Sequence, residues 1–418
     1  MNEVERRLLP LATEFLGDFR AVVVNGPRQA GKSTLLRQIQ RTRGSVVSLD
    51  QATSLDVAID DPVGFLDGLP DGVAIDEFQR GGDRLLLALK SRIDVSNTRG
   101  QFLLAGSTRF LTTRRLSETL TGRVGIIELF PLSIGEVRGS GTSFVDCVFR
   151  NSGAADFRNA TFETVSRAEY GELVAMGGFP ELVLGSQTNR FRAAWVNSYL
   201  STVTAVANVE QVAEVRRPAL VANLVRQIAA RSAKEIVVAD LARELQVDEG
   251  TVRVYLDILA TLYLIRLIPA WSTSQTTRAK KRAVGHLVDT ALACAIVGAT
   301  ATQLAEPGSP WMGPLLESFV VAELAKQIGW SEIDVRLLQY RDRDQREIDV
   351  ILEHGTRVVG LEVKATSTPS THHGRHLAAL RDRIGPRFHL GIVLHTGAIV
   401  ESLGDRLLAL PISSLWSV

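Results

Sequence analysis

The apolar run "AVVVN" (21–25) leads into "GPRQAGKST" (26–34), and "STLLRQIQ" then continues with a helical pattern. A strand, a glycine-spaced loop and a helix in this order constrain the fold more than any other stretch of the chain. The spacing G-x-x-x-x-G-K-[ST] is met by Gly26, Gly31, Lys32 and Ser33. Glycines let backbone N–H groups close around phosphate oxygens, and the helix N-terminus adds a favourable dipole. Pro27, Arg28, Gln29 and Ala30 make the turn between the glycines, and Thr34 follows in the first helical turn. Lys32 is expected to reach the β- and γ-phosphates of ATP, with the Ser33 hydroxyl on Mg2+.

Further apolar runs at 45–49, 72–75, 102–105 and 125–129 alternate with helical or loop stretches. That alternation predicts an α/β unit with a parallel sheet covered on both faces. "GVAIDEF" ends one buried strand with Asp76 and Glu77. An acid at a strand end beside the loop is expected to hold the Mg2+ water shell, and the next acid to polarise the attacking water. The alternative for Glu77 is a structural acid at a strand end. A third strand ends in "AGSTR", which offers Ser107 or Thr108 as a sensor of the γ-phosphate.

At 418 residues the chain is too long for one core, and two to four domains are expected. Lys+Arg is 47 and Asp+Glu 46, so overall charge gives nucleic-acid binding no support, and only local patches can carry it. The two cysteines, Cys147 and Cys294, exclude a disulfide framework and a cysteine-rich zinc module. They fit a reducing, cytoplasmic setting. The charged start lacks the apolar core of a signal peptide, and no run is long enough to span a membrane, so no membrane partner is expected. Of the 47 basic residues only seven are lysines. Lysine kept at Lys32 and Lys364 against that bias marks places where a compact ammonium is needed and arginine does not substitute.

Residues 1–19 are expected to form an amphipathic helix. "FPLSIGE" (130–136) closes the first unit, and 138–165, rich in Gly, Ser, Asn and Thr, is expected to be a weakly structured linker. A helical region runs to about 232. Residues 234–270 then follow the helix, turn, helix and β-prone pattern of a winged helix. The last third carries a helix at 313–328, two adjacent strands at 346–353 and 357–366, and a final strand at 389–395.

The chain resembles the AAA+ P-loop ATPases that carry a C-terminal domain of unknown function 4143. The matching pieces are "GPRQAGKSTLL", "IDEFQR", "FLLAGSTRFL" and "LTGRVGIIELFPLSIGE", then "GGFPE", the winged-helix stretch, "DTAL", "LLESFVVAEL" and "EIDVILE…LEVKAT". The resemblance implies a nucleotide-switched machine without naming a substrate. It implies an AAA+ type core over 1–140, a linker and helical region over 141–233, a winged helix over 234–283 and a restriction-endonuclease-like α/β domain over 284–418. It also makes Arg123 in "TGR" a candidate arginine finger or sensor, in competition with Arg109, Arg114 and Arg115. A finger acting in trans implies a homo-oligomer, a hexamer or a dimer.

Asp349 and Glu362 lie on the two adjacent runs, and Lys364 shares a strand face with Glu362. Two acids and a lysine brought together in this way bind a divalent metal and place an ammonium near an attacking water. The arrangement resembles the PD-(D/E)xK nuclease fold, with Ile348 at the usual proline position. Glu317, flanked by Val320 and Val321 on its own helix face, is expected to need a cation or a hydrogen-bond donor. A second Mg2+ or a Mn2+ would take Glu317, Asp349 and Glu362. The alternative is a salt-bridged strand pair. His372, His373 and His376 offer either a metal cluster or a solvated loop and helix start.

DNA contact has two candidate surfaces. The presumed recognition helix offers Arg253 amid Asp248, Glu249 and Asp257, whose charge opposes phosphate binding. "TTRAKKRA" (276–283) offers Arg278, Lys280, Lys281 and Arg282, with solvated surface as the alternative. Three functions stay open: an ATP-driven enzyme of repair or recombination type acting on duplex or branched DNA, a nucleotide-switched regulator of protein partners with a degenerate nuclease scaffold, and an ATP-gated, metal-dependent nuclease.

Overall fold

The computed structural model describes residues 3–107, 122–141, 143–151, 154–157, 160–185, 188–205, 218–342 and 344–417. It divides chiefly between Leu132 and Ser133 into two compact units.

The first unit opens with α1 (Leu9–Asp18), followed by β1 (Ala21–Asn25), α2 (Lys32–Gln40), β2 (Val46–Ser48), α3 (Ala52–Asp60) and α4 (Pro62–Asp67). Then come β3 (Val73–Asp76), α5 (Gly82–Val95), β4 (Phe102–Gly106) and β5 (Val124–Glu128). Every strand pair is parallel, in the order β2-β3-β4-β1-β5. β1, β3 and β4 are buried along their whole length, as strands covered on both faces must be. Ile75, Phe78, Leu85, Leu89 and Leu104 share one core cluster under α5. The chain leaves β1 toward β2 at one edge and leaves β4 toward β5 at the other. A crevice opens beyond the strand ends where the two directions diverge.

The second unit begins with α6 (Ile134–Arg138) and α7 (Phe144–Arg150). The expected weak linker at 138–165 is therefore a helix over part of its length. Phe144, Val145, Val148 and Phe149 form a buried helical stripe, and Ser143 caps it through the Asp146 amide. The polar flanks had hidden that spacing. Next come α8 (Arg167–Met176), α9 (Pro180–Leu184), α10 (Asn189–Val203) and α11 (Pro218–Ala230).

β6 (Lys234–Glu235), α12 (Val238–Leu245), α13 (Glu249–Thr261), β7 (Ile265–Ile268), α14 (Gln275–Lys280) and β8 (Val284–Leu287) form a helical module with a small sheet. The sheet order is β6-β8-β7, so it runs past residue 283. α15 (Thr290–Val297) and α16 (Ala301–Ala305) lead into α17 (Met312–Ile328).

The carboxy-terminal sheet is mixed. β9 (Arg336–Arg341), β10 (Glu347–His354) and β11 (Arg357–Lys364) run antiparallel. α18 (Arg375–Ile384) returns the chain to β12 (Phe388–His395), which pairs parallel to β11. β12 is not the last strand: β13 (Glu401–Gly404) and β14 (Leu407–Pro411) extend the sheet beyond it. The short run "LLALP" lacks an alternation that would have marked it as a strand. No helix among the described residues is long and apolar enough to cross a membrane.

Candidate nucleotide site and a carboxylate groove

Gly26 follows β1 under tight packing. A Cβ there would lie 2.0 Å from the Leu129 carbonyl oxygen, so only glycine fits against the segment after β5. Gly31 caps α2 at φ +95°, a left-handed conformation that favours glycine. Gln29 adopts φ +60° in the same turn. Pro27 and Ala30 are buried, Arg28 is half-buried, and Ser33 and Gln29 are exposed.

Lys32 is buried, and its Nζ donates to the Gly26 and Pro27 carbonyls at 3.1 and 2.8 Å. Burial pulls its pKa down to about 8, against the opposing pull of Glu77 and Asp76. The ammonium is thus partly desolvated and poised for a strong anion.

The sheet order brings the other elements to the same edge. β4 lies between β3 and β1, so Asp76, Ser107 and the loop all sit at the carboxy-terminal ends of neighbouring strands. Asp76 is buried, and its Oδ1 accepts the Glu77 amide at 3.0 Å. Glu77 itself adopts φ +53°, a costly conformation for a residue with a side chain and common at functional positions. Ser107 Oγ donates to Glu77 Oε2 at 3.2 Å. The exposed Ser33 hydroxyl and the held Asp76 carboxylate are hard oxygen donors of the kind Mg2+ takes.

Arg123 lies elsewhere. It precedes β5, whose first residue pairs with Ala21 at the start of β1, so it sits at the end of the sheet away from the loop. Its Nε is 2.7 Å from Asp94. A five-residue strand spans about 15 Å, so Arg123 cannot meet a phosphate in its own loop. Thr108, Arg109, Arg114 and Arg115 fall outside the described residues.

Sequence reasoning missed Arg6. Its guanidinium is buried and donates from Nη1 to Ala30 O at 2.7 Å and from Nη2 to Phe130 O at 2.6 Å. It ties the phosphate loop to the segment after β5. Nothing in "EVERRLL" sets Arg6 apart from Arg7, because the contact spans 24 and 124 residues. Replacing Arg6 by alanine is expected to weaken nucleotide binding about tenfold, the scale of one charged hydrogen bond. Titration of a fluorescent ADP analogue checks it.

The second unit brings Asp349, Glu362 and Lys364 together. Lys364 Nζ is 2.8 Å from Glu362 Oε2 and 4.0 Å from Asp349 Oδ2, and Asp349 Oδ2 accepts the Val363 amide at 2.7 Å. Burial pushes the carboxyl groups of Glu317, Asp349 and Glu362 up. Glu362 reaches about 8, with Asp349 beside it adding repulsion. Burial opposes the Lys364 charge, but Asp349 and Glu362 overcome it and hold the ammonium above its ordinary value. Three carboxyl groups face one lysine, and Glu362 Oε1 has no hydrogen-bond partner among the described residues. Glu317 and Asp349 open into a groove of about 490 Å3 that Lys234, Arg282, Tyr340 and Arg341 also line. The donor chemistry suits a divalent cation, yet no group of three His, Cys, Asp or Glu among the described residues is arranged to hold one.

The histidines form no cluster. His373 Nδ1 accepts the Ser370 amide, and His376 Nδ1 bonds the Glu347 carbonyl at 2.9 Å, 3.9 Å from Glu362 Oε1. The basic loop is largely committed inward. Arg278 makes two 2.7 Å bonds to Glu353, which also accepts from Trp271 Nε1. Lys281 donates to Arg341 O and lies over the Tyr340 ring. Arg253 pairs with Glu249 one turn away. Arg282 is exposed, and the Lys280 side chain lies outside the described residues.

The motifs "GGFPE" and "DTAL" prove to be one structural device. Asp289 is buried; its Oδ2 accepts the Gly178 amide at 2.8 Å and its Oδ1 the Ala291 amide at 2.9 Å, which caps α15.

The strand order and the loop after β1 define a P-loop ATPase fold. Residues 18–138 match the model of an AAA domain, 167–303 that of a domain of unknown function, DUF8612, and 312–415 that of a second, DUF4143. By these matches the chain is similar, segment by segment, to an AAA domain followed at its carboxy-terminal end by a DUF4143 domain. Uncharacterized proteins of Mycobacterium tuberculosis and Mycobacterium bovis are each 29% identical over 392 residues, 93% of this chain and 79% of theirs. Among solved structures, a Walker-type ATPase of Pyrococcus abyssi aligns with TM-score 0.41 at 16% identity, covering 71% of this chain and 96% of that one. RuvB of Thermotoga maritima aligns with TM-score 0.30 at 19% identity, covering 63% and 89%.

Proposed function

We propose that this protein hydrolyses ATP at the phosphate loop and uses turnover to drive its carboxy-terminal half on DNA, in duplex or branched substrates of the repair or recombination type. The observation that carries the ATP step is the single edge shared by Lys32, Asp76, Glu77 and Ser107. Loop amides and Lys32 bind and orient the phosphates. Ser33 and Asp76 would hold Mg2+, which supplies charge neutralisation when bound. Glu77 takes a proton from the attacking water. Arg123, remote from its own loop, acts on a neighbouring copy's phosphates in a homo-oligomer, a dimer or a hexamer.

For the second unit, the order α11–β6–α12–α13–β7–α14–β8 supports the reading as a winged helix with a short helix between its last two strands, and α17 with β9 to β12 supports the reading as a PD-(D/E)xK core. Asp349, Glu362 and Glu317 are not grouped to hold a metal as they stand; they would have to close on a second Mg2+ or a Mn2+ there, with Lys364 beside the reacting phosphate. With Arg278 and Lys281 turned inward, phosphate contacts fall to Lys234 and Arg282 at the groove rather than to α13. ATPase assays with single-strand, duplex, fork and four-way-junction DNA test this reading, together with Mg2+- or Mn2+-dependent cutting by the wild type and Asp349→Ala. DNA-stimulated turnover is expected. No stimulation and no gel shift at low salt defeat the DNA reading.

Two observations favour a second reading. The Glu362–Lys364 ion pair and the inward wing suit a scaffold that no longer cuts and a switch that acts on protein partners. It expects slow turnover, indifference to DNA and unchanged function in Asp349→Ala.

A further inference from the structure

We propose that Gln79 is a catalytic residue of ATP hydrolysis, the group that holds the attacking water against Glu77. The inference rests on the hydrolytic reading of the loop and names a residue to which that reading gives no role.

Gln79 lies two residues after Glu77, in the short 3-10 turn Phe78–Gly81 at the end of β3. Its Nε2 donates to Glu77 Oε2 and, at 3.1 Å, to Ser107 Oγ. An ionised carboxylate only accepts hydrogen bonds, so the amide nitrogen must face Glu77 and the amide oxygen must face away from it. That oxygen, Oε1, is shielded from solvent and has no partner among the described residues. A buried acceptor left empty in a folded protein calls for an explanation, and a donor that arrives with a ligand supplies one. The donor that hydrolysis itself would bring is the attacking water.

A water poised to attack the γ-phosphorus has two protons to place. The water donates one hydrogen bond to Glu77 and the other to Gln79 Oε1, which turns an oxygen lone pair toward the phosphorus. As the new P–O bond forms, the bond between the γ-phosphorus and the β,γ-bridging oxygen breaks. Its electron pair stays on the ADP oxygen. Glu77 receives one water proton and passes it to the phosphate product. Gln79 gains no proton and no charge; its task is orientation. The same amide keeps Glu77 fixed through Nε2, and Ser107 closes the triangle.

The test compares wild type with Gln79→Leu, which keeps the shape and removes both polar ends, and with Gln79→Ala. Turnover of Mg·ATP should fall about a hundredfold, while affinity for a non-hydrolysable ATP analogue stays within about threefold. Capture of ADP with aluminium fluoride, a mimic of the in-line transition state, should be lost in both variants. Turnover within about threefold of wild type in Gln79→Leu overturns the proposal. So does a fall in turnover matched by equal falls in analogue affinity and melting temperature, the signature of a merely structural residue. A wild type that hydrolyses no ATP overturns the hydrolytic reading and this proposal together. An active wild type beside an equally active Gln79→Leu overturns this proposal alone.

Discussion

Lys32→Ala is expected to abolish ATP turnover and to weaken nucleotide binding by about a hundredfold or more, since it removes the ammonium that we propose meets the β- and γ-phosphates. Lys32→Arg should not restore either, because the buried site around Lys32 admits a compact head held between two carbonyls and not a planar fork. The wild-type affinity should also depend on pH in a set direction. Without nucleotide, Lys32 titrates near 8 because burial disfavours its charge. Phosphate oxygens beside it restore the charged form to a higher pKa. Binding therefore takes up no proton at pH 6 to 7, and up to one above pH 8. Affinity should be flat below about 8 and fall by as much as roughly tenfold per pH unit above it. Calorimetric titration in two buffers of different ionisation enthalpy measures the proton directly. Flat affinity to pH 10 would mean that Lys32 keeps its charge in the empty loop.

Asp289→Ala should destabilise the second unit by about 3 kcal/mol or more, the cost of two buried amides left without acceptors. The amides are those of Gly178 and Ala291, and the second opens α15. Burial pushes the Asp289 carboxyl up, while the charge of Lys326 draws it down. Gly177→Ala attacks the same device from the other side. Its Cβ would lie 1.9 Å from Asp289 Oδ1, at a backbone angle of φ +65°. Both variants should lower the melting temperature and raise hydrogen exchange in α8 and α15, and leave nucleotide binding by isolated loop contacts intact. Unchanged exchange at Gly178 and Ala291 in Asp289→Ala would contradict the assignment.

Much of the first site was legible in the sequence. Gly26, Gly31, Lys32 and Ser33 lie within eight residues, and each local conformation is dictated by what the others require. Asp76 and Glu77 could be read as strand-end acids because a buried four-residue run stops there. Their placement beside the loop depended on β4 lying between β3 and β1, which pairing alone decides. Gln79 was within sight in "IDEFQR", but its empty oxygen is a property of the packed turn. Arg6 was invisible for the same reason. In the second unit the spacing of Asp349, Glu362 and Lys364 pointed to a cluster, and their side chains do meet. The basic loop misled, since nothing local shows that Arg278 is taken up by Glu353, 75 residues away.

The sequence alone determined the phosphate loop, the alternation of strands and helices, and the lysines that a strong arginine bias spared. These are set by short-range sterics, hydrogen-bond geometry and hydrophobic period, which act over a few residues. Folding settled which cations are spent inside the protein, which amides lean on Asp289, and that Arg123 stands at the far end of its own sheet. Those outcomes follow from burial and long-range pairing, where the cost of an unpaired charge or amide is settled by neighbours that the chain brings from a hundred residues away.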